Sequence, residues 1–236
     1  VLYVDSNDAA LVKKSAELFQ QDFENVTGRK IPLSFNKTVS SKTVIIIGSV
    51  AQSSLIKQLE QQKKLSTASI NNKWEAYQIQ TITNPFKGVE QALVITGSDR
   101  RGTAYAVFEC SKQMGVSPWY WWADVPVKKK ADIYVKKNTF ITDAPKVKYR
   151  GIFINDEAPA LSGWSKEKFG GFNHNFYGKV FELMLRLKAN YLWPAMWGNA
   201  FYDDDSLSIQ TADTYGIVIG TSHHEPLMRA HDEWRR

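Results

Sequence analysis

Tyr149-Arg150-Gly151-Ile152-Phe153-Ile154-Asn155-Asp156-Glu157 is the stretch whose reading decides the fold. An apolar, β-branched and aromatic run stops abruptly at three polar residues, as a strand does where it leaves its sheet. The same design returns twice. Ala189–Leu192 runs into Trp193-Pro194-Ala195-Met196-Trp197-Gly198-Asn199, and Ile217–Gly220 runs into Thr221-Ser222-His223-His224-Glu225.

Helical patterns separate these strands. A loop rich in Gly and Pro is expected to about Gly171, then a helix from Asn175 to Leu187 with Phe176, Val180, Phe181, Met184, Leu185 and Leu187 on its apolar side. Asp205 to Tyr215 predicts a second helix, capped by Asp205 or Ser206 and closed by Gly216. Pro226 suits the first turn of another. Strand–helix repeats of this kind mean a parallel sheet. The fold class is therefore α/β: a small α/β domain over 1–145, followed over 146–236 by the first part of a (β/α)8 TIM barrel, about three strands of it. A complete barrel takes about 250 residues. The expectation is a fragment whose barrel portion, isolated, has an open edge and aggregates or stays molten.

Working back towards the N-terminus, residues 1–145 also alternate strands and helices. Val1–Val4 is a strand. Asp8 to Gln21 predicts a helix with Asp8 as N-cap, and Val44–Ile47 before Gly48-Ser49 is a buried strand. Ser53–Gln61 reads as a helix, and Tyr77–Thr83 and Ala92–Thr96 as strands joined by a turn. Gly97-Ser98-Asp99-Arg100-Arg101-Gly102-Thr103 opens a helix that stops at Gly115. That spacing is neither a dinucleotide fingerprint nor a phosphate loop, and an Asp N-cap suffices to explain it. Pro118-Trp119-Tyr120-Trp121-Trp122 reads as an inter-domain seam, ahead of linker-like segments at Lys128–Lys130 and Asp143-Ala144-Pro145.

Composition narrows the class. The chain has 236 residues, 43% hydrophobic and 23% charged, as globular proteins have. No apolar run reaches the roughly 20 residues of a membrane span, so membrane insertion is not expected. The net charge of +6 sits entirely in the first 146 residues, scattered over short lysine pairs and triplets without interleaved aromatics. Solvated surface explains it, and nucleic acid is not an expected partner. Cys110 is the only cysteine and lies in an apolar stretch, which makes it a buried thiol.

The three strand ends collect the residues that need a chemical reason. In a parallel barrel the C-terminal ends of the strands converge on one site. The candidate substrate-binding residues are Asn155, Asp156, Glu157, Trp193, Trp197, Asn199, His223, His224 and Glu225. Indole faces and hydrogen-bonding groups together suit a sugar. Adjacent His223 and His224 point to opposite sides of an extended segment, so no metal site and no cofactor are expected. Asp203-Asp204-Asp205 reads as a solvated loop favouring the next helix N-terminus. Glycoside cleavage needs two carboxyl groups flanking the scissile bond. Asp156 and Glu157 are adjacent and cannot supply both, so the general acid and base stay unassigned, with Asp156 and Glu225 the best candidates within the chain.

At these residues the sequence resembles glycoside hydrolase family 115, the xylan α-1,2-glucuronidases. The matching stretches are Tyr149 to Glu157, Leu187-Lys188-Ala189-Asn190-Tyr191-Leu192-Trp193-Pro194-Ala195-Met196-Trp197, and Gly220-Thr221-Ser222-His223-His224-Glu225-Pro226. The resemblance implies removal of glucuronic acid or 4-O-methyl-glucuronic acid side chains from glucuronoxylan with inversion, by a periplasmic or extracellular enzyme. A pocket accepting a uronic acid would use the histidines as donors. The alternatives are another barrel glycosidase such as a hexosaminidase, or a non-catalytic carbohydrate-binding protein. Oligomeric state is left open, a homodimer included.

Overall fold

The computed structural model describes residues 1–35, 41–221 and 232. They fall into two compact units, Val1–Lys148 and Tyr149–Arg236.

In the first unit the elements are β1 (Leu2–Val4), α1 (Ala10–Thr27), β2 (Leu33–Ser34), β3 (Thr43–Ser49), α2 (Ser54–Gln61), β4 (Tyr77–Thr83), β5 (Gln91–Gly97), α3 (Arg100–Met114) and β6 (Phe140–Asp143). They build one sheet in the order β2-β1-β3-β5-β4-β6. β1, β2, β3 and β5 run parallel, whereas β4 is antiparallel to both its neighbours. Alternation along β3 sends Val44 and Ile46 to one face, where they pack with Tyr3, Val94 and the apolar stripe Leu55, Ile56 and Leu59 of α2. Helices α1 and α3 pack on each other and on β1, β3 and β5. Burial pushes the Cys110 thiol of α3 up to about 12.

The Gly97–Thr103 segment is a joint between elements. A Cβ on Gly97 would stand 2.0 Å from the Thr103 nitrogen, and one on Gly102 would stand 2.3 Å from the Ala76 oxygen. Only glycine lets β5, α3 and the start of β4 approach so closely. Asp99 then fastens the joint, accepting from the N–H of Gly102 at 2.9 Å and of Glu75 at 2.7 Å. The helix N-terminus is thus taken by the chain's own carboxylate.

Four local readings change. Helix α1 begins after Ala9 and runs six residues further than its expected end, to the left-handed Gly28. Asp8 is not its cap: the carboxylate is buried and accepts from the Ser49 N–H at 2.8 Å and the Ser49 hydroxyl at 2.7 Å. The linker-like segment expected at Asp143-Ala144-Pro145 opens on the last residue of β6, an exposed edge strand paired to β4. Two lysines of the exposed run 128–130 are also hydrogen-bonded. Lys129 Nζ donates to the Asn25 oxygen at 2.7 Å and Lys130 Nζ to the Met114 oxygen at 2.8 Å. Each ammonium meets the C-terminal carbonyls of a helix, where the macrodipole is negative.

The second unit contains β7 (Gly151–Phe153), α4 (Ala160–Phe169), α5 (His174–Arg186), β8 (Tyr191–Trp193), α6 (Ser206–Tyr215) and β9 (Val218–Ile219). Its three strands form a parallel sheet in sequence order, with Gly151 opposite Tyr191 and Tyr191 opposite Val218. The Gly/Pro loop expected after β7 holds a helix, α4. Helix α5 is buried nearly all round. Its Glu182 and Arg186, one turn apart and both buried, pair at 2.9 Å, which is how two charges are tolerated there. No described helix is long and apolar enough to cross a membrane.

Candidate functional site

The sheet of the second unit is set in register at its strand starts. Asn190, 1% exposed, takes the Arg150 N–H on its side-chain oxygen at 2.9 Å, while Arg150 Nε donates to the Lys188 oxygen at 2.6 Å. Two of the unusual motif residues, Arg150 and Asn190, therefore hold strands rather than substrate.

Period-two alternation puts Phe153, Tyr191 and Trp193 on one face of the sheet. Phe153 and Trp193 are cross-strand partners whose rings meet edge to face at 6.1 Å. Tyr149 and Tyr191 meet likewise at 5.8 Å. The Trp193 indole N–H donates to the Tyr191 hydroxyl at 3.3 Å. A Cβ on Gly220 would lie 2.0 Å from that hydroxyl and 2.9 Å from Trp193 Cδ1. Gly220 therefore makes the notch that seats both rings.

At the end of β7 the chain continues to alternate. Ile154 and Asp156 turn inward, and Asn155 and Glu157 are exposed. Two adjacent acids thus have different surroundings. Asp156 is 2% exposed and its carboxylate faces three donors: the Met196 N–H at 3.1 Å, the Trp197 N–H at 2.9 Å and Asn199 Nδ2 at 2.8 Å. The loop after β8 is folded around that side chain. Two further amides of the loop are tied as well. Ala195 N–H reaches the Tyr177 hydroxyl of α5 at 3.3 Å, and Ala200 N–H reaches Asp204 at 2.7 Å. Burial pushes the Tyr177 phenol above its ordinary range; the Ala195 N–H works against this, and the nearby Asp156 and Asp204 add to it. Gly198 turns the tip in a left-handed conformation at φ 69. The loop carries the Trp197 side chain 51% exposed.

The structure thus brings Asp156, Trp197 and Asn199 together, with Trp193 on the adjoining sheet face. Asn155 and Glu157 are exposed beside Asp156. His223, His224 and Glu225 lie outside the described residues. Among the described residues no group of three or more histidines, cysteines or acids is placed to hold a metal ion.

The expected solvated run Asp203-Asp204-Asp205 is partly structural. Asp204 serves Ala200, and Asp205 caps α6 through the Leu207 N–H at 3.0 Å. Asp205 also accepts from the backbone N–H of His174 at 2.8 Å and lies 2.6 Å from His174 Nδ1. The His174 N–H holds the Asp205 carboxyl below the usual carboxylate range, with the imidazole adding to this and partial burial opposing it. His174 and Tyr177 are absent from the sequence-derived site. Their only advance signal was position, in and just before the first turn of an expected helix that follows a strand.

Such an arrangement can bind a polar molecule with apolar faces. It offers an exposed indole on a loop held through the peptide nitrogens of Ala195, Met196, Trp197 and Ala200, and exposed polar side chains beside it.

Comparisons with known proteins bear on what that molecule is. No curated protein matches the chain. Among solved structures, the chain is similar to a family GH115 4-O-methyl-alpha-glucuronidase with specificity for decorated arabinogalactans: identity is 34% and the TM-score 0.82 over 96% of this chain and 29% of that one. A Streptomyces plicatus N-acetyl-beta-hexosaminidase is similar in fold alone, at 10% identity and TM-score 0.52 over 93% of this chain and 40% of that one. A Flavobacterium johnsoniae chitobiase is likewise similar in fold alone, at 11% identity and TM-score 0.50 over 94% and 30%. The chain spans less than a third of the length of the glucuronidase it matches. Residues 142–236, which hold the three strand ends and the Asp156 loop, match the model of glycosyl hydrolase family 115.

Proposed function

We propose that this chain forms part of a glycoside hydrolase that removes glucuronic acid or 4-O-methyl-glucuronic acid side chains from a plant polysaccharide. The observation that carries the reading is the loop anchored on Asp156, which presents Trp197 at the end of a parallel sheet within the segment that matches family 115. In this reading the sheet is the opening of a (β/α)8 barrel, and its strand ends line the sugar pocket.

Asp156 then acts on the loop rather than on the glycosidic bond. A carboxyl that is 2% exposed and faces three donors is placed to hold Trp197 and Asn199. Trp197 stacks on a sugar ring, and Asn155 and Glu157 meet hydroxyls. The general acid and base flank the bond from opposite sides with a water between base and sugar, as inversion requires. Glu225 keeps its candidacy for one of those roles. The enzyme works outside the cytoplasm, where such polysaccharides are met.

Glucuronoxylan is the polymer we favour. The arabinogalactan specificity of the 34% identical glucuronidase makes a decorated arabinogalactan the second reading. The test is incubation of the full-length protein with both polymers, with proton NMR of the released sugar. Free uronic acid appearing first as the β-anomer supports an inverting α-glucuronidase, and the better polymer settles the backbone. Release of N-acetylhexosamine instead, or binding without turnover, would sink the proposal.

A further inference from the structure

The loop after β7 (154–173) and the loop after β8 (194–205) are tied together twice, and in opposite senses. Near their beginnings, Asp156 of the first loop accepts from Met196, Trp197 and Asn199 of the second. At their ends, Asp205 of the second loop accepts from His174, the first residue of α5 immediately after the first loop, through the backbone N–H at 2.8 Å and Nδ1 at 2.6 Å. The first loop thus gives a carboxylate to the second, and the helix that follows the first loop receives one from the second.

We propose that His174 and Asp205 are positioning residues for the sugar-contacting loop. They form the second of two reciprocal clasps that hold Trp197 and Asn199 in one place. The inference rests on the reading of Trp197 as a sugar contact. Its physical basis is entropy. Gly170, Gly171 and Gly198 all have positive φ and sit within these two loops. Glycine-rich segments lose the most backbone freedom on ordering. The Asp156 clasp, with Tyr177 on Ala195 and Asp204 on Ala200, holds the second loop from 195 to 200 and leaves the pivot between the far ends of the two loops open. Two clasps at opposite ends remove the pivot, so the stacking surface is ordered before substrate arrives. Binding then does not have to order it. Asp205 is suited to the task because it caps α6 as well, so the second loop cannot slide without unwinding a helix start.

The experiment uses the full-length protein and three variants, His174→Ala, His174→Asn and Trp197→Ala. Amide hydrogen exchange is followed at Met196 and Trp197, and kcat and KM are measured on a uronic-acid-substituted xylo-oligosaccharide. In His174→Ala we expect exchange at those two amides to rise at least fivefold. KM rises about fivefold with kcat within twofold. His174→Asn, whose Nδ2 stands where Nδ1 stood, recovers at least half of both effects. A variant His174→Ala with exchange and KM both within twofold of wild type would overturn the proposal. So would faster exchange without a change in KM while Trp197→Ala does raise KM. If Trp197→Ala leaves KM unchanged, the sugar-contact reading fails, and the exchange data alone then judge the clasp.

Discussion

Both units use buried carboxylates to tie strand-end segments, yet they do so to different ends. In the first unit Asp5 accepts from the N–H and hydroxyl of Ser54, and Asp8 from those of Ser49. Both acids are at most 3% exposed, and the residues they secure are small and continue directly into the core. In the second unit Asp156 is equally buried, but the segment it secures carries a half-exposed indole. The first arrangement closes a strand end. The second uses the same interaction to present a side chain to solvent. Burial of an acid therefore does not distinguish structure from function; what the tied segment displays does.

The comparison breaks most visibly at Asp156. Asp156→Ala leaves three donors without their acceptor, which costs about 2–3 kcal/mol of stability. It should cut uronic acid release at least tenfold, about 1.4 kcal/mol in barrier. Asp156→Asn, which keeps one acceptor oxygen, should lose affinity more than turnover. A collapse of kcat with KM intact in Asp156→Asn would instead make the residue a proton-transfer group. Next comes Asp5→Ala, expected to lower stability by about 2 kcal/mol in denaturant unfolding because Ser54 loses its partner. Here kcat and KM should stay within twofold, and an activity loss matching that of Asp156→Ala would erase the distinction between the units. Asp99→Ala, which removes a helix cap, should cost about 1 kcal/mol without altering KM.

The smallest effect is one of sign. Burial raises the Asp8 carboxyl above its ordinary value, with the Ser49 hydrogen bonds acting against it, so the folded state binds the proton more tightly than the unfolded state. Its contribution is present below about 3.9 and is lost as pH rises through the raised value. Asp205 is shifted the other way, so its contribution is present above that pH and lost as pH falls through the depressed value. The unfolding free energy should fall with rising pH across the first window more steeply in the wild type than in Asp8→Asn. Exchange at the His174 amide should show excess acceleration only on acidification. A pH dependence in the same direction at both carboxylates would contradict this assignment.

Legibility in the sequence followed the range of the interactions. Asp99 and Asp205 were readable as caps, and Gly115 and Gly216 as stops, because a cap and its partner lie within one turn. The β-branched run at Val44–Ile47 announced its strand because burial on both faces leaves no polar positions. Helix α4 was hidden: it has little amphipathic contrast and contains Gly163, so its periodicity is faint. β6 was hidden because an exposed edge strand takes its structure from pairing with Tyr77–Gln80, some sixty residues away, and not from its own residues. The same limit applies to the site. Residue types at the strand ends pointed to sugar chemistry. That Asp156 is committed to donors forty residues further on is a long-range fact which no local pattern carries.

The way the loop after β8 is anchored has a consequence for how such a site diversifies. Tyr177, Asp156 and Asp204 grip it through the peptide nitrogens of Ala195, Met196, Trp197 and Ala200. A peptide nitrogen is present whatever side chain follows it, proline excepted. The residue at position 197 can therefore be exchanged while the path of the chain is inherited unchanged. A lineage built on this scaffold can try new ligands by swapping one display residue, without refolding the support beneath it.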